Sequence, residues 1–205
     1  MASGPQTQTA PLIGLTGGIG AGKSIALALF DELGAATLST DAVVHALYAR
    51  EDIRDEMVER WGPEIAPDGV VDRDAIARRV FEEPAELEWL EQRVWPLVGN
   101  AVEAFAAEAR TRDPQPRAIV IETPLLFEAG LEARYHATVA VVAPDEARAA
   151  WTADREHHSI ADRERRQLSQ EEKARRADHV IRNDASIQAL KQKLADLLDN
   201  LEGVS

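Results

Sequence analysis

Six residues within one short stretch hold the clearest chemistry in the chain. Gly17-Gly18-Ile19-Gly20-Ala21-Gly22-Lys23-Ser24 follows the apolar run Leu12–Thr16 and fits the pattern G-x-x-x-x-G-K-S. A loop that wraps a triphosphate brings backbone N–H groups to within about 3 Å of phosphate oxygens. Side chains obstruct that approach, so Gly17, Gly18, Gly20 and Gly22 suit it. The chain then enters a helix whose positive N-terminal end points at the anion. Lys23 has the reach for the β- and γ-phosphates, and the Ser24 hydroxyl is a ligand for Mg²⁺. The competing reading is a glycine-rich strand-to-helix turn that binds nothing; the strand before and the helix after weigh against it.

The elements that must position this loop are legible as short apolar, β-branched runs. Leu12–Thr16, Ala36–Ser39, Arg117–Glu122, Ala137–Ala143 and His179–Arg182 read as buried parallel strands. Helical patterns lie between them, as parallel pairing requires. Lys23–Leu33 is a helix that stops at Gly34, and Ser186–Leu201 carries a leucine stripe at helical spacing. The long gap from Asp41 to Pro116 exceeds one crossover helix. It reads as helices over Asp41–Tyr48, Asp52–Trp61, Arg73–Phe81 and Pro84–Ala107, with Trp61, Trp89 and Trp95 as packing residues. Asp145–Lys173 reads as a polar helical lid, interrupted at His157-His158-Ser159.

Asp41 ends the second strand on the sheet edge that carries the glycine loop. It suits a general base for a substrate hydroxyl, or the N-cap of the helix it begins. Glu122 ends the third strand and suits either Mg²⁺ or a helix cap.

Composition bounds these readings. The chain has 205 residues, 45% of them hydrophobic, which fits one domain with an inserted subdomain. Met1–Ala10 is small and polar and reads as a disordered tail. No apolar run reaches the roughly 20 residues a membrane helix needs. With no cysteine, thiolate chemistry and thiolate metal sites are excluded. A net charge of −13 argues against a nucleic-acid partner, though not against a nucleotide bound at a local positive site. Arg148 to Arg176 supplies such a local excess of cations. The expectation is a cytoplasmic protein acting on small molecules, with no nucleic-acid or membrane partner and with its oligomeric state open.

Taken together the motifs resemble the dephospho-CoA kinase family over roughly Leu12 to Leu198. The resemblance rests on Gly14 to Ser24, Asp68-Gly69-Val70-Val71-Asp72-Arg73, Pro124-Leu125-Leu126-Phe127-Glu128, Arg163-x-x-x-Gln167, Lys173, and Ala177-Asp178-His179-Val180-Ile181-Arg182-Asn183. Ile25, Ser39, Trp95 and Trp151 stand where the family commonly has other residues.

The resemblance implies an α/β P-loop NTPase three-layer sandwich with a five-stranded parallel sheet. It divides the chain into a core (11–40, 117–147 and 174–203), a helical CoA-binding subdomain (41–116) and a helical lid (148–173). It implies phosphorylation of the ribose 3′-hydroxyl of dephospho-CoA with ATP and Mg²⁺. Gly17, Gly18, Gly20, Ala21, Gly22, Lys23, Ser24, Ile25, Arg155 and Asn183 would bind ATP. Asp41, Arg73, Leu125, Arg163 and Gln167 would meet the acceptor, with Asp41, Lys23 and Arg155 catalytic and Ser24 and Glu122 on the metal. Another P-loop nucleotide or nucleoside kinase, or a non-catalytic ATP/CoA sensor, would share the glycine loop without needing the later motifs.

Overall fold

A computed structural model describes residues 9–152 and 167–202. Each run expected to be a strand is one. β1 (Leu12–Gly17), β2 (Ala36–Ser39), β3 (Ile119–Glu122), β4 (Ala137–Val142) and β5 (His179–Arg182) form one sheet in the order β2-β3-β1-β4-β5, with every pairing parallel. β3 and β4 are buried along their whole length, as unbroken apolar strands covered on both faces should be. β3 begins two residues later than expected; the Arg117 N–H donates to Gly34 O before it, and its guanidinium meets Asp199 2.5 Å away.

The α-helices among the described residues are α1 (Lys23–Glu32), α2 (Thr40–Tyr48), α3 (Glu51–Trp61), α4 (Arg73–Glu82), α5 (Pro84–Ala109), α6 (Asp145–Thr152), α7 (Gln170–Arg176) and α8 (Ile187–Glu202). α1 and α8 cover one sheet face, burying Phe30, Leu190, Leu194 and Leu198 against Ile13, Val120, Val139 and Val141. Burial of side chains this size stabilises by about 1.5–3 kcal/mol each. The other face takes the C-terminal half of α5, where Val102, Phe105, Ala106 and Ala109 meet Ala36, Ile119 and Ile121. Ala10 is buried in this cluster, inside the stretch expected to be a loose tail.

A separate apolar cluster lies in the helices between β2 and β3. Leu47, Ile53, Met57, Trp61, Ile76, Val80, Leu90 and Val94 form it. Trp61 and Trp89 meet edge-to-face with ring centroids 5.1 Å apart, and Trp61 Nε1 donates to Glu86. Trp95 departs from its expected packing role. It is 48% exposed, because buried Leu90 and Val94 set the inward face of α5 and the next residue turns away. Asp72 caps α4 by accepting the backbone N–H groups of Asp74 and Ala75, which accounts for one motif aspartate.

Two capping alternatives fail. The N-cap position of α2 is Ser39, so Asp41 sits inside the first turn and caps nothing. Glu122 runs into a turn rather than a helix, and the next N–H, of Thr123, donates to Leu15 O on β1. In the polar segment, the described residues are helical over Asp145–Thr152 and again over Gln170–Arg176. Residues 167–169 are non-helical and Ser169 caps α7 by accepting the Glu172 N–H. The expected break at His157-His158-Ser159 lies outside the described residues.

Candidate active site

The glycine loop joins β1 to α1 at the C-terminal edge of the sheet, the edge where ligands of open α/β sheets bind. Gly22 takes the left-handed conformation, φ +92°, and opens α1. A Cβ there would stand 2.4 Å from Asn183 Nδ2. That amide, just past β5, donates to Ala21 O at 3.1 Å. Asn183 is therefore a brace under the loop, positioned by the strand two places away in the sheet.

Lys23 is half-buried, and its Nζ donates to Gly17 O (3.2 Å) and Gly18 O (3.0 Å). A charged phosphate oxygen is a stronger acceptor than either carbonyl. Burial pushes the Lys23 ammonium from 10.5 down to about 8, with Glu122 and Asp41 pulling it up and Lys173 and Arg148 pushing it down. Those five groups therefore share one electrostatic neighbourhood. Ser24 and Ile25 follow on α1, both exposed.

Glu122 and Asp41 reach the same edge from neighbouring strands. Ser39 is the register partner of Glu122, and Thr40 Oγ1 donates to the Glu122 carbonyl at 3.0 Å. Burial raises the Glu122 carboxyl above the ordinary range, opposed by a hydrogen bond from Ser39 and by Lys23. Ser39 thus has a defined task at a position where the resembled family carries an aspartate. Asp41 is exposed at the start of α2, with a carboxylate charge felt by both Lys23 and Glu122. Among the described residues no group of three or more His, Cys, Asp or Glu side chains forms a metal cage.

The remaining expected site residues fall into four groups. Asn183, with Gly17 to Ser24, is at the loop. Leu125 is half-buried in the turn after β3, and Gln167 accepts from Lys173, which also donates to the carbonyl of neighbouring Pro124. Arg73 is exposed at the first position of α4, where its charge acts on Tyr48 rather than on the loop. Arg155 and Arg163 lie outside the described residues.

Three residues of weight here escape a reading of residue type alone. Arg148 Nε donates to the loop carbonyl of Ile19 at 2.9 Å while Nη1 pairs with Asp145. Gln170 binds both the N–H and the C=O of Ala143 with its amide, like one more rung beyond β4, and its Cβ packs on Gly18. Lys173 is fully buried and holds the turn after β3. Only the basic excess of the segment hinted at Arg148; nothing in the sequence pattern marked Gln170.

A family model described as dephospho-CoA kinase matches residues 11–189. The chain belongs to the dephospho-CoA kinase family. A dephospho-CoA kinase of Salinibacter ruber is 38% identical over 190 residues, 90% of this chain and 94% of its own length. One from Thermus thermophilus is 38% identical over 195 residues, covering 94% and 92%. A Thermus thermophilus crystal structure superposes with a TM-score of 0.77 at 35% identity, covering 95% of this chain and 99% of its own. The dephospho-CoA kinase structure from Campylobacter jejuni, TM-score 0.61 at 19% identity, shows the same fold. The chain is thus a P-loop kinase in architecture, with ATP as the family's co-substrate. Among the described residues no helix is long and apolar enough to cross a membrane.

Proposed function

We infer that the protein transfers the γ-phosphoryl group of ATP to the ribose 3′-hydroxyl of dephospho-CoA, giving coenzyme A and ADP. The observation that carries this is the shared edge where Lys23 on the loop meets the fields of Asp41 and Glu122. In-line phosphoryl transfer needs a cradle for the phosphates, charge neutralisation and an acceptor for the hydroxyl proton. Residues 17–24 are the cradle, and Lys23 offsets charge on the β- and γ-phosphates. Asp41 accepts the proton as the ribose oxygen bonds to the γ-phosphorus and the bond to the β-phosphate oxygen breaks. Its exposure leaves it open to a substrate, and its freedom from capping supports this role.

The Ser24 hydroxyl and the Glu122 carboxylate are hard oxygen donors that fit Mg²⁺, which keeps several waters and needs few protein ligands. When bound it would neutralise phosphate charge. Glu122 above its ordinary pKa is suited to act through one of those waters as well as directly. Arg155 would complete the cation set, Arg163, Gln167 and Leu125 would meet the acceptor, and Arg73 would contact its CoA portion. The working division is a core of residues 11–40, 117–147 and 174–203, a CoA-binding helical part at 41–116 and a lid at 148–173, in a cytoplasmic protein. A coupled ADP-release assay tests the reading. Turnover is expected with dephospho-CoA and not with AMP or adenosine; the reverse preference would replace the acceptor assignment.

A further inference from the structure

A lysine with no exposed surface must place all three ammonium donors on acceptors. Lys173 does so. Nζ donates to Pro124 O (2.5 Å) and Gln167 Oε1 (3.3 Å), and pairs with Glu128 Oε1 at 3.1 Å. Each acceptor leads to a different part of the site. The Pro124 carbonyl also accepts from Thr16 Oγ1 on β1, next to the glycine loop. Glu128 Oε1 also accepts the Leu168 N–H at 2.8 Å, so it holds the backbone beside Gln167. Glu128 Oε2 is buried without a hydrogen-bond partner among the described residues, which makes Lys173 the main compensation for this carboxylate.

Gln167 is the informative member. An ammonium only donates, so the amide atom beside it is the oxygen, and the orientation of this amide follows from chemistry. Nε2, with its two donors, is at the other end. Gln167 lines a cavity shared with Gly18, Ile19, Arg148 and Ser169, beside the glycine loop.

We propose that Lys173 is a positioning residue for phosphoryl transfer, clamping the Pro124 carbonyl, Glu128 and the Gln167 amide so that Gln167 presents its Nε2 donors to the acceptor where the phosphoryl group is transferred. The proposal rests on the kinase reading above. The clamp's own bonds go to Pro124, Gln167 and Glu128 and none to residues 17–24, so ground-state ATP binding is largely spared, while transition-state geometry is not.

The test uses Lys173→Met, the double variant Lys173→Met with Glu128→Gln, Gln167→Leu, and Gln167→Leu with Lys173→Met. Melting temperature, kcat and both KM values are read for each. Lys173→Met strands a buried carboxylate and lowers the melting temperature, and the double variant with Glu128→Gln recovers part of it, because the second change removes the stranded charge and keeps an oxygen for the Leu168 N–H. In both, kcat is expected to stay about 10–100-fold below wild type, the scale of a roughly ångström misplacement, with the KM for ATP within about threefold. Gln167→Leu loses kcat to the same extent and, by stranding one ammonium donor, lowers the melting temperature less than Lys173→Met does, and adding Lys173→Met to it costs no further kcat. Recovery of kcat together with the melting temperature in the double variant, or wild-type kcat in Gln167→Leu, overturns the proposal and leaves Lys173 a structural staple. Absence of dephospho-CoA turnover in the wild-type protein is a different result and overturns the kinase reading beneath it.

Discussion

Lys23 sits between opposed influences. Burial and the charges of Lys173 and Arg148 disfavour its proton, while Glu122 and Asp41 favour it, leaving a pKa of about 8. Bound triphosphate favours the proton further. ATP binding therefore takes up a proton above pH 8, and affinity falls as pH rises through that value, by at most about tenfold per pH unit. Titration calorimetry in two buffers of different ionisation enthalpy should register that uptake at pH 8.5 and little at pH 7. Stability has the opposite sign. The folded pKa lies below the unfolded 10.5, so the unfolded chain binds more protons between pH 8 and 10.5 and the Lys23 contribution to stability rises across that window. Lys23→Met should flatten both slopes; an unchanged pH dependence of ATP affinity in that variant would assign the titration to another group. Asp41 separates catalysis from fold more simply. Asp41→Asn should lower turnover by roughly 10²–10⁴ if a base is lost. Because Ser39 holds the N-cap position, only a helix-dipole contribution of about 0.3–1 kcal/mol is at risk on unfolding in urea. Near-normal turnover would remove Asp41 from the mechanism.

At the scale of elements, β1 does two jobs with one glycine-rich sequence. Its end feeds the phosphate loop, but Gly14 in its middle makes room for a neighbour. A Cβ there would lie 2.5 Å from Leu126 and 2.8 Å from the Tyr135 ring. Tyr135 in turn meets the Thr123 hydroxyl at 2.9 Å, directly after Glu122. Gly14→Ala should therefore cost about 1–3 kcal/mol by overpacking. Pairing it with Leu126→Ala should cost less than the sum of the two changes in a denaturation cycle; strict additivity would show that the contact is not strained. The strands themselves were legible because β-branched runs of this length have few other fates, and the glycine loop because its spacing is tied to its chemistry. Asp178 and Asp72 were visible as motif residues, yet their work is structural. Asp178 accepts both the N–H and the hydroxyl of Thr138 to fasten β5 to β4, and Asp72 caps α4. Lys173 was not legible as a buried residue. In a polar helix a lysine reads as surface, and the acceptors that make its burial tolerable, Pro124 and Glu128, come from far along the chain.

At the scale of the whole molecule, an acidic chain of net charge −13 concentrates cations where polyanionic substrates would arrive. The larger architectural fact is α5. Leu90 and Val94 in its first half belong to the core of the helical region, while Ala106 and Ala109 in its second half belong to the core against β2 and β3. The two apolar cores are joined by one continuous helix. Native-state hydrogen exchange should find Leu90–Val94 and Ile119–Glu122 opening with the same free energy and the same denaturant slope, as one cooperative unit. Earlier opening of the helical region alone would mean that α5 breaks, for which Pro96 is the weak point.

That rod has a consequence for anyone recombining such proteins. Residues 41–116 cannot be lifted out and grafted onto another sheet as a cassette, because the cut would strip Val102, Phe105, Ala106 and Ala109 of the strands they cover. The seam along which this molecule can be exchanged with a relative runs through the middle of a helix rather than through a loop, near Pro96. A chimera should keep each half of α5 with the core it fills.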